Sequence, residues 1–230
     1  MKYTTIFIDL DDTLIDTVDN TIQTLKEMYA DYGFEKYFGS YENFFTVFQT
    51  NNLANWHAYE RNLITKDQLI KARFLGVFRN IDDVKDEEAL KINEDYIDKI
   101  VRKDKLIEGA IDLLDYLKSR YKISTISNGF TEMQFRKIES AGLTSYFDKV
   151  ILSDEVGINK PDPKIFHHAL REAGIVKEEA LMIGDNYFSD ITGAYNSGID
   201  QIWFNPGNKP EAGIKPTYTV KSLSDIKNIL

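Results

Sequence analysis

Cysteine is absent from the 230 residues, which excludes disulfides, thiolate metal sites and a cysteine nucleophile. Histidine is scarce: His57, His167 and His168 are the three in the chain. None stands at a suggestive spacing from a serine and a carboxylate, which argues against a Ser/His/Asp hydrolase. No glycine run matches a phosphate loop or a dinucleotide fingerprint, so ATP and NAD use find no support. No apolar stretch approaches the roughly 20 residues that cross a bilayer. The first residues enter a β-rich run at once, leaving no room for a secretory leader, and a cytoplasmic location is the expectation. A basic excess is also missing. With 28 Lys and Arg against 37 Asp and Glu, the formal net charge is −9. Long nucleic acid needs a basic footprint and is not an expected partner. Any anionic substrate must then be attracted locally, against the field of the whole chain. The chain reads as a monomer or a homodimer.

What is present is concentrated at the ends of short apolar runs. Tyr3–Ile8 is β-rich and leads into Asp9-Leu10-Asp11-Asp12-Thr13. Alternate strand positions point the same way, so Asp9 and Asp11 would emerge close together at the end of a buried strand. Unpaired buried charge is disfavoured. A hard dication such as magnesium, which prefers carboxylate oxygen and keeps several waters, would compensate it. A turn or helix cap explains Asp12 and Thr13, but not Asp9.

Three further segments have the same construction. Tyr121–Ser127 is a strand that ends in Ser127-Asn128-Gly129. Gly157–Pro163 places Lys160 in a proline-punctuated loop before a helix. Ala180–Gly184 is a strand followed by Asp185 and, five residues on, Asp190. In this order and with this chemistry, the four segments resemble the motifs of the haloacid dehalogenase-like hydrolase superfamily. The resemblance spans essentially the whole chain.

The organisation agrees with that resemblance. Residues 1–15 and 105–230 alternate β-rich runs with amphipathic segments, the signature of βαβ units. Candidate strands are 3–8, 121–127, 149–153, 180–184 and 200–204, with a short edge strand near 218–220. Candidate helices are 109–119, 131–141, 163–174, 188–197 and 222–230. Residues 16–104 show no strand and read as helices at about 17–32, 41–62, 66–80 and 86–102, with Thr65-Lys66-Asp67-Gln68 as a capping box for the third. The aromatics of this insert, Phe38, Tyr41, Phe44, Phe45, Phe48, Trp56 and Tyr59, read first as the core of a helical subdomain. The expected fold is α/β: a Rossmann-like three-layer core with a parallel sheet, carrying an inserted all-helical cap. Ligands of an open parallel sheet sit at the carboxyl ends of its strands, where Asp9, Asp11, Ser127, Lys160 and Asp185 would converge and the insert would cover them.

The resemblance implies roles for these positions. Asp9 is the nucleophile, forming an aspartyl-phosphate. Asp11 is the general acid and then the general base. Asp9 and Asp185, with the main-chain carbonyl of Asp11, hold the metal. Ser127, Asn128 and Lys160 bind phosphate. Asp190 has two open readings, orienting a metal-bound water or capping the helix near Ser189. Asp11 separates chemistries within the superfamily: displacement of halide needs no proton donor, and dehalogenases typically lack this second acid. Dehalogenation is therefore disfavoured. Ser127-Asn128-Gly129-Phe130, the stretch Tyr146–Gly157 and the insert residues Asn52, Trp56, Tyr59, Ile64, Arg73 and Phe74 look like the bacterial pyrimidine 5′-nucleotidase branch. That implies a nucleoside monophosphate as substrate, with Asn52, Trp56 and Arg73 as candidates for the base. Phosphoglycolate, a sugar phosphate, or a non-catalytic binding protein are the alternatives.

Overall fold

The computed structural model describes residues 2–230. The backbone forms two compact units, Met1–Thr17 with Asp104–Leu230, and Val18–Lys103. In the first unit six strands make one sheet: β1 (Thr5–Ile8), β2 (Lys122–Ser127), β3 (Lys149–Leu152), β4 (Ala180–Gly184), β5 (Asp200–Phe204) and β6 (Tyr218–Val220), in the order β3-β2-β1-β4-β5-β6. Every pairing is parallel. Parallel sheets are covered on both faces and their strands are apolar throughout, and β1 and β4 are buried at every residue.

Strand alternation assigns side chains to two cores. Ile6, Ile8, Leu181, Ile183 and Ile202 pack on one face with Leu113, Leu114 and Leu117 of the helix Ala110–Lys118. Phe7, Ala180, Met182 and Ile151 pack on the other with Ile165, Phe166 and Ala169 of the helix Pro163–Ala173. At about 25 cal/mol per Å² of apolar surface, such burial is the main favourable term in folding. Register then brings the functional ends level: Ile8 pairs with Thr125 on one side and with Ile183 on the other.

Two segments depart from the expected helices. Residues 188–197 are not one helix, because Tyr187–Thr192 form a π-helical turn before the short helix Gly193–Asn196. Gly193 lies against Phe166, where a Cβ would come within 2.5 Å of the ring. The C-terminal segment is a 3₁₀ helix over Leu223–Asn228 rather than a longer helix.

The second unit contains the helix Thr17–Asp31 from Val18 onward and helices at Glu35–Phe38, Tyr41–Glu60, Lys66–Phe78 and Asp86–Ile100, and no strand among its described residues. The turn Glu35–Phe38 was not expected; Gly39 closes it in the left-handed region at φ 71°. Aromatic rings form the core: Phe34 lies 5.0 Å from Phe44 and 5.3 Å from Phe78, and Phe48 lies 5.4 Å from Phe74 and 5.3 Å from Tyr96. Among the described residues no helix is long and apolar enough to cross a membrane.

Candidate active site

The carboxyl ends of the central strands place the acids. Asp9 continues β1, and its N–H donates to the Ile183 carbonyl at 2.9 Å. Asp185 follows β4, pinned by the Trp203 indole, which donates to its carbonyl at 2.9 Å. The Thr13 hydroxyl joins the two strand ends. It accepts from Asp185 N–H at 3.0 Å and lies 3.4 Å from Asp9 Oδ2 and 3.3 Å from Asp185 Oδ1.

Lys160 is brought in from the loop after β3 by a side-chain clasp. Asn128 donates through Nδ2 to the Lys160 carbonyl at 3.0 Å and accepts from Lys160 N–H at 2.8 Å. The ammonium, 2 % exposed, donates to Asp9 Oδ1 at 2.6 Å, Asp190 Oδ1 at 2.6 Å and the Ile126 carbonyl at 2.7 Å. An ammonium has three protons and all three are used. Burial opposes its charge, but Asp190 and Asp9 outweigh that and hold its pKa above the usual range.

Asp190 is fully buried, and its second oxygen accepts from Asn186 N–H at 3.1 Å. The capping role weighed for it belongs instead to Asn186, whose Oδ1 accepts from Phe188 N–H and Ser189 N–H at 3.0 Å each. Gly184 makes room for Asp190, since a Cβ there would lie 2.3 Å from Asp190 Oδ2.

Oxygens of Asp9, Asp185 and Asp190 all lie within 4.8 Å of one another. Three carboxylates around one ammonium leave negative charge unbalanced. Burial first, with the neighbouring Asp190 and Asp185 adding to it and Lys160 opposing, raises Asp9 well above the ordinary carboxyl range. Asp185 is pushed up to about 7, by burial first and then by Asp190 and Asp12. A donor set made only of carboxylate oxygen, short of positive charge, fits a hard divalent cation.

The Asp11 side chain lies outside this cluster. The hydroxyl of Thr17 and the ammonium of Lys137 donate to Oδ1, both at 2.6 Å, and Gln134 Nε2 donates to Oδ2 at 2.6 Å. Burial alone would raise its pKa, but Lys137, Thr17 and Gln134 hold it below the usual carboxyl value. Ser127 Oγ accepts from Gln134 Nε2 at 2.7 Å and from Gly129 N–H at 3.0 Å, leaving its proton free to donate. Gln134 and Lys137 escaped the sequence reading, because polar residues on an amphipathic helix look solvent-facing. Both are buried. The signal available was their i, i+3 spacing immediately after Ser127-Asn128-Gly129.

In the helical unit, Arg73 is buried and its Nε donates to Asn52 Oδ1 at 3.1 Å, with its guanidinium 5.1 Å from the Tyr96 ring centre. Trp56 meets Tyr59 edge-on at 5.9 Å. Of the candidates there, the structure joins Asn52 to Arg73.

A family model described as haloacid dehalogenase-like hydrolase matches residues 3–198. The chain belongs to this family. As a haloacid dehalogenase-like hydrolase it is 34 % identical to the pyrimidine 5′-nucleotidase YjjG of Escherichia coli over 232 residues, covering 100 % of this chain and 99 % of that protein. It is 32 % identical to the pyrimidine 5′-nucleotidase PynA of Streptococcus pneumoniae, covering 100 % and 98 %. Among solved structures of such hydrolases, magnesium-bound YfnB from Bacillus subtilis superposes with a TM-score of 0.89 at 25 % identity, over 100 % of this chain and 99 % of that one.

Proposed function

We propose that this hydrolase is a magnesium-dependent phosphomonoesterase acting on a nucleoside 5′-monophosphate. The observation that carries the reading is the cluster of Asp9, Asp185 and Asp190, whose oxygens lie close enough to share a divalent ion and whose charge Lys160, paired with Asp9 and Asp190, balances only in part. Asp9 and Asp185 would hold magnesium with the main-chain carbonyl of Asp11, and Asp190 fixes Asp9 through their shared bond to Lys160. Magnesium supplies charge neutralisation between the phosphate oxygens and the carboxylates. That neutralisation is needed, since two unit charges about 4 Å apart repel by roughly 4 kcal/mol at an effective dielectric near 20.

The chain's own residues perform the rest. Asp9 attacks phosphorus; the bond to the leaving oxygen breaks, and Asp11, held below the usual carboxyl value by Lys137, Thr17 and Gln134, delivers to that oxygen a proton it takes up from solvent as substrate binds. Water then attacks the aspartyl-phosphate and gives its proton to Asp11, and the bond between Asp9 and phosphorus breaks to release phosphate. Lys160 neutralises charge on Asp9 and the transferring oxygens, while the Ser127 hydroxyl, with its free proton, and the loop at Asn128 bind phosphate. Protonation by Asp11 is what an alcohol leaving group requires and a halide does not, which favours phosphate esters over haloacids. The full-length similarity to two pyrimidine 5′-nucleotidases supports the nucleotide. The helical unit acts as the cap, with Asn52, Trp56 and Arg73 as its first candidates for base recognition.

The test is hydrolysis of UMP, dTMP, phosphoglycolate and sugar phosphates by the full chain, with magnesium and with chelator. Nucleotide turnover that requires magnesium and vanishes in Asp9→Asn, with the fold intact, is the expected result. Preferred turnover of phosphoglycolate or a sugar phosphate overturns the substrate, and metal-dependent turnover by Asp9→Asn overturns the nucleophile.

A further inference from the structure

The Asp11 carboxylate is held by more machinery than proton transfer alone demands. Both oxygens are engaged, by Thr17 and Lys137 on one and by Gln134 on the other, each at 2.6 Å. Gln134 and Lys137 lie one turn apart on the helix Thr131–Ser140, so their side chains rise from one face. They are 1 % and 8 % exposed. Burying an amide and an ammonium is costly, and here the donors of both are directed to one carboxylate, even though Gln134 Oε1 is buried without a partner. Gln134 Nε2 also reaches Ser127 Oγ at 2.7 Å, so a single amide bridges the ends of β1 and β2. Gly129 is cut to fit that amide: a Cβ there would lie 2.1 Å from Gln134 Nε2.

We propose that Gln134 and Lys137 are positioning residues that orient the Asp11 carboxylate for proton transfer and couple its placement to Ser127. This rests on the phosphatase reading, in which Asp11 is the general acid and base. Donors arriving from two directions leave the carboxylate one orientation. The orientation matters because misplacement of a reacting group by about 1 Å can slow a reaction on the order of a hundredfold. Gln134 also explains why Ser127 and Asp11, remote in the chain, keep a fixed relation at the sheet edge.

The test is steady-state kinetics of the full chain with magnesium, on UMP and on acetyl phosphate, whose carboxylate leaving group departs without a proton. Lys137→Met and Gln134→Leu are expected to lower kcat on UMP by roughly ten- to a hundredfold, with KM moved less than about threefold. Lys137→Arg is expected to regain part of that loss. The fall in kcat/KM on acetyl phosphate is expected to be about tenfold smaller than on UMP, because positioning of the acid matters less there. Equal falls on both substrates, or a raised KM with unchanged kcat, overturn the proposal and leave the pair a merely structural link. Should Lys137→Met fail to fold by circular dichroism, Gln134→Leu, nearly isosteric, decides the same comparison. A wild-type chain that hydrolyses neither compound refutes the phosphatase reading itself, a result distinct from equal falls in the variants.

Discussion

At Lys160 one side chain sets the electrostatics of the whole site. Its three protons go to Asp9, Asp190 and the Ile126 carbonyl, so any displacement of Asp190 also loosens Asp9. Gly184 is where that coupling can be tested without touching a charge. Alanine at 184 would place its Cβ 2.3 Å from Asp190 Oδ2 and 2.5 Å from Cγ. Asp190 is fully buried and bonded on both oxygens, so it has nowhere to retreat. Overpacking of this kind costs about 1–3 kcal/mol, and a shifted Lys160–Asp9 pair should reduce turnover by on the order of a hundredfold. Denaturant melts and nucleotide hydrolysis check both; a Gly184→Ala enzyme with wild-type turnover would show that Asp190 moves freely. Asp9 and Asp185 were legible in the sequence because each follows an apolar strand, where a charge has no structural excuse, and Lys160 because it stands in the proline-punctuated loop Gly157–Pro163. Asp190 was ambiguous because capping and charge pairing use the same residue type. Gln134 and Lys137 carried only the weak signal of their spacing, since burial of a helix's polar face depends on contacts more than 100 residues away in the chain.

Among the elements, the pair of helices Tyr41–Glu60 and Lys66–Phe78 shows local preference losing to packing. Gly76 lies near the end of the second, where alanine would be favoured by about 1 kcal/mol on helix propensity alone. Its Cβ would, however, come within 2.2 Å of the Asn51 side chain. That side chain donates to the Ala72 and Arg73 carbonyls at 2.9 and 2.6 Å. Turning Asn51 away would forfeit two hydrogen bonds at about 1 kcal/mol each and leave a polar group to be satisfied elsewhere. Gly76→Ala should therefore destabilise the chain by about 1–2 kcal/mol, measured by urea unfolding, whereas a stabilised variant would mean that Asn51 rotates at no penalty. The element scale is also where the sequence was most readable. Apolar runs of strand length gave all six strands, and the capping box at Thr65 and Gln68 is present, with Thr65 Oγ1 accepting from Gln68 N–H at 3.2 Å and Gln68 Oε1 from Thr65 N–H at 2.8 Å. The π-helical turn over Tyr187–Thr192 and the 3₁₀ helix over Leu223–Asn228 were not. An apolar stripe a turn or two long does not distinguish these windings from an α-helix, and the choice is made by contacts such as Gly193 against Phe166.

For the whole molecule, an overall charge of −9 and a crowded acidic cluster make stability depend on pH, and the proposed metal site would tie that dependence to divalent ion. Unfolded carboxyl groups titrate near about 4, whereas burial first and neighbouring carboxylates second lift Asp9 well above that value and Asp185 to about 7. The folded chain therefore binds more protons than the unfolded chain between those values. With the unfolded state binding fewer protons, unfolding free energy falls as pH rises. The contribution of these two groups in metal-free protein is fully present below about pH 4 and is lost as pH climbs through about 7 for Asp185. Asp11, held below its usual value, acts in the opposite sense and loses its contribution as pH falls. Magnesium bound as proposed would compete with the protons on Asp9 and Asp185, so the rise in Tm it produces should be small at pH 5 and grow steadily to pH 8. Thermal melts in magnesium and in chelator at pH 5, 6, 7 and 8 measure this, and a metal-induced shift that is the same at every pH would refute the linkage. Asp9→Asn sharpens the test, because it removes one negative charge from the crowding by Asp190 and Asp185 that, second to burial, raises the Asp9 pKa. That variant should lose turnover, gain stability in chelator at pH 8, and show a weaker response to magnesium. A chain that instead lost stability in chelator at pH 8 would place the ionised Asp9–Lys160 pair, rather than carboxylate crowding, in control of this edge of the sheet.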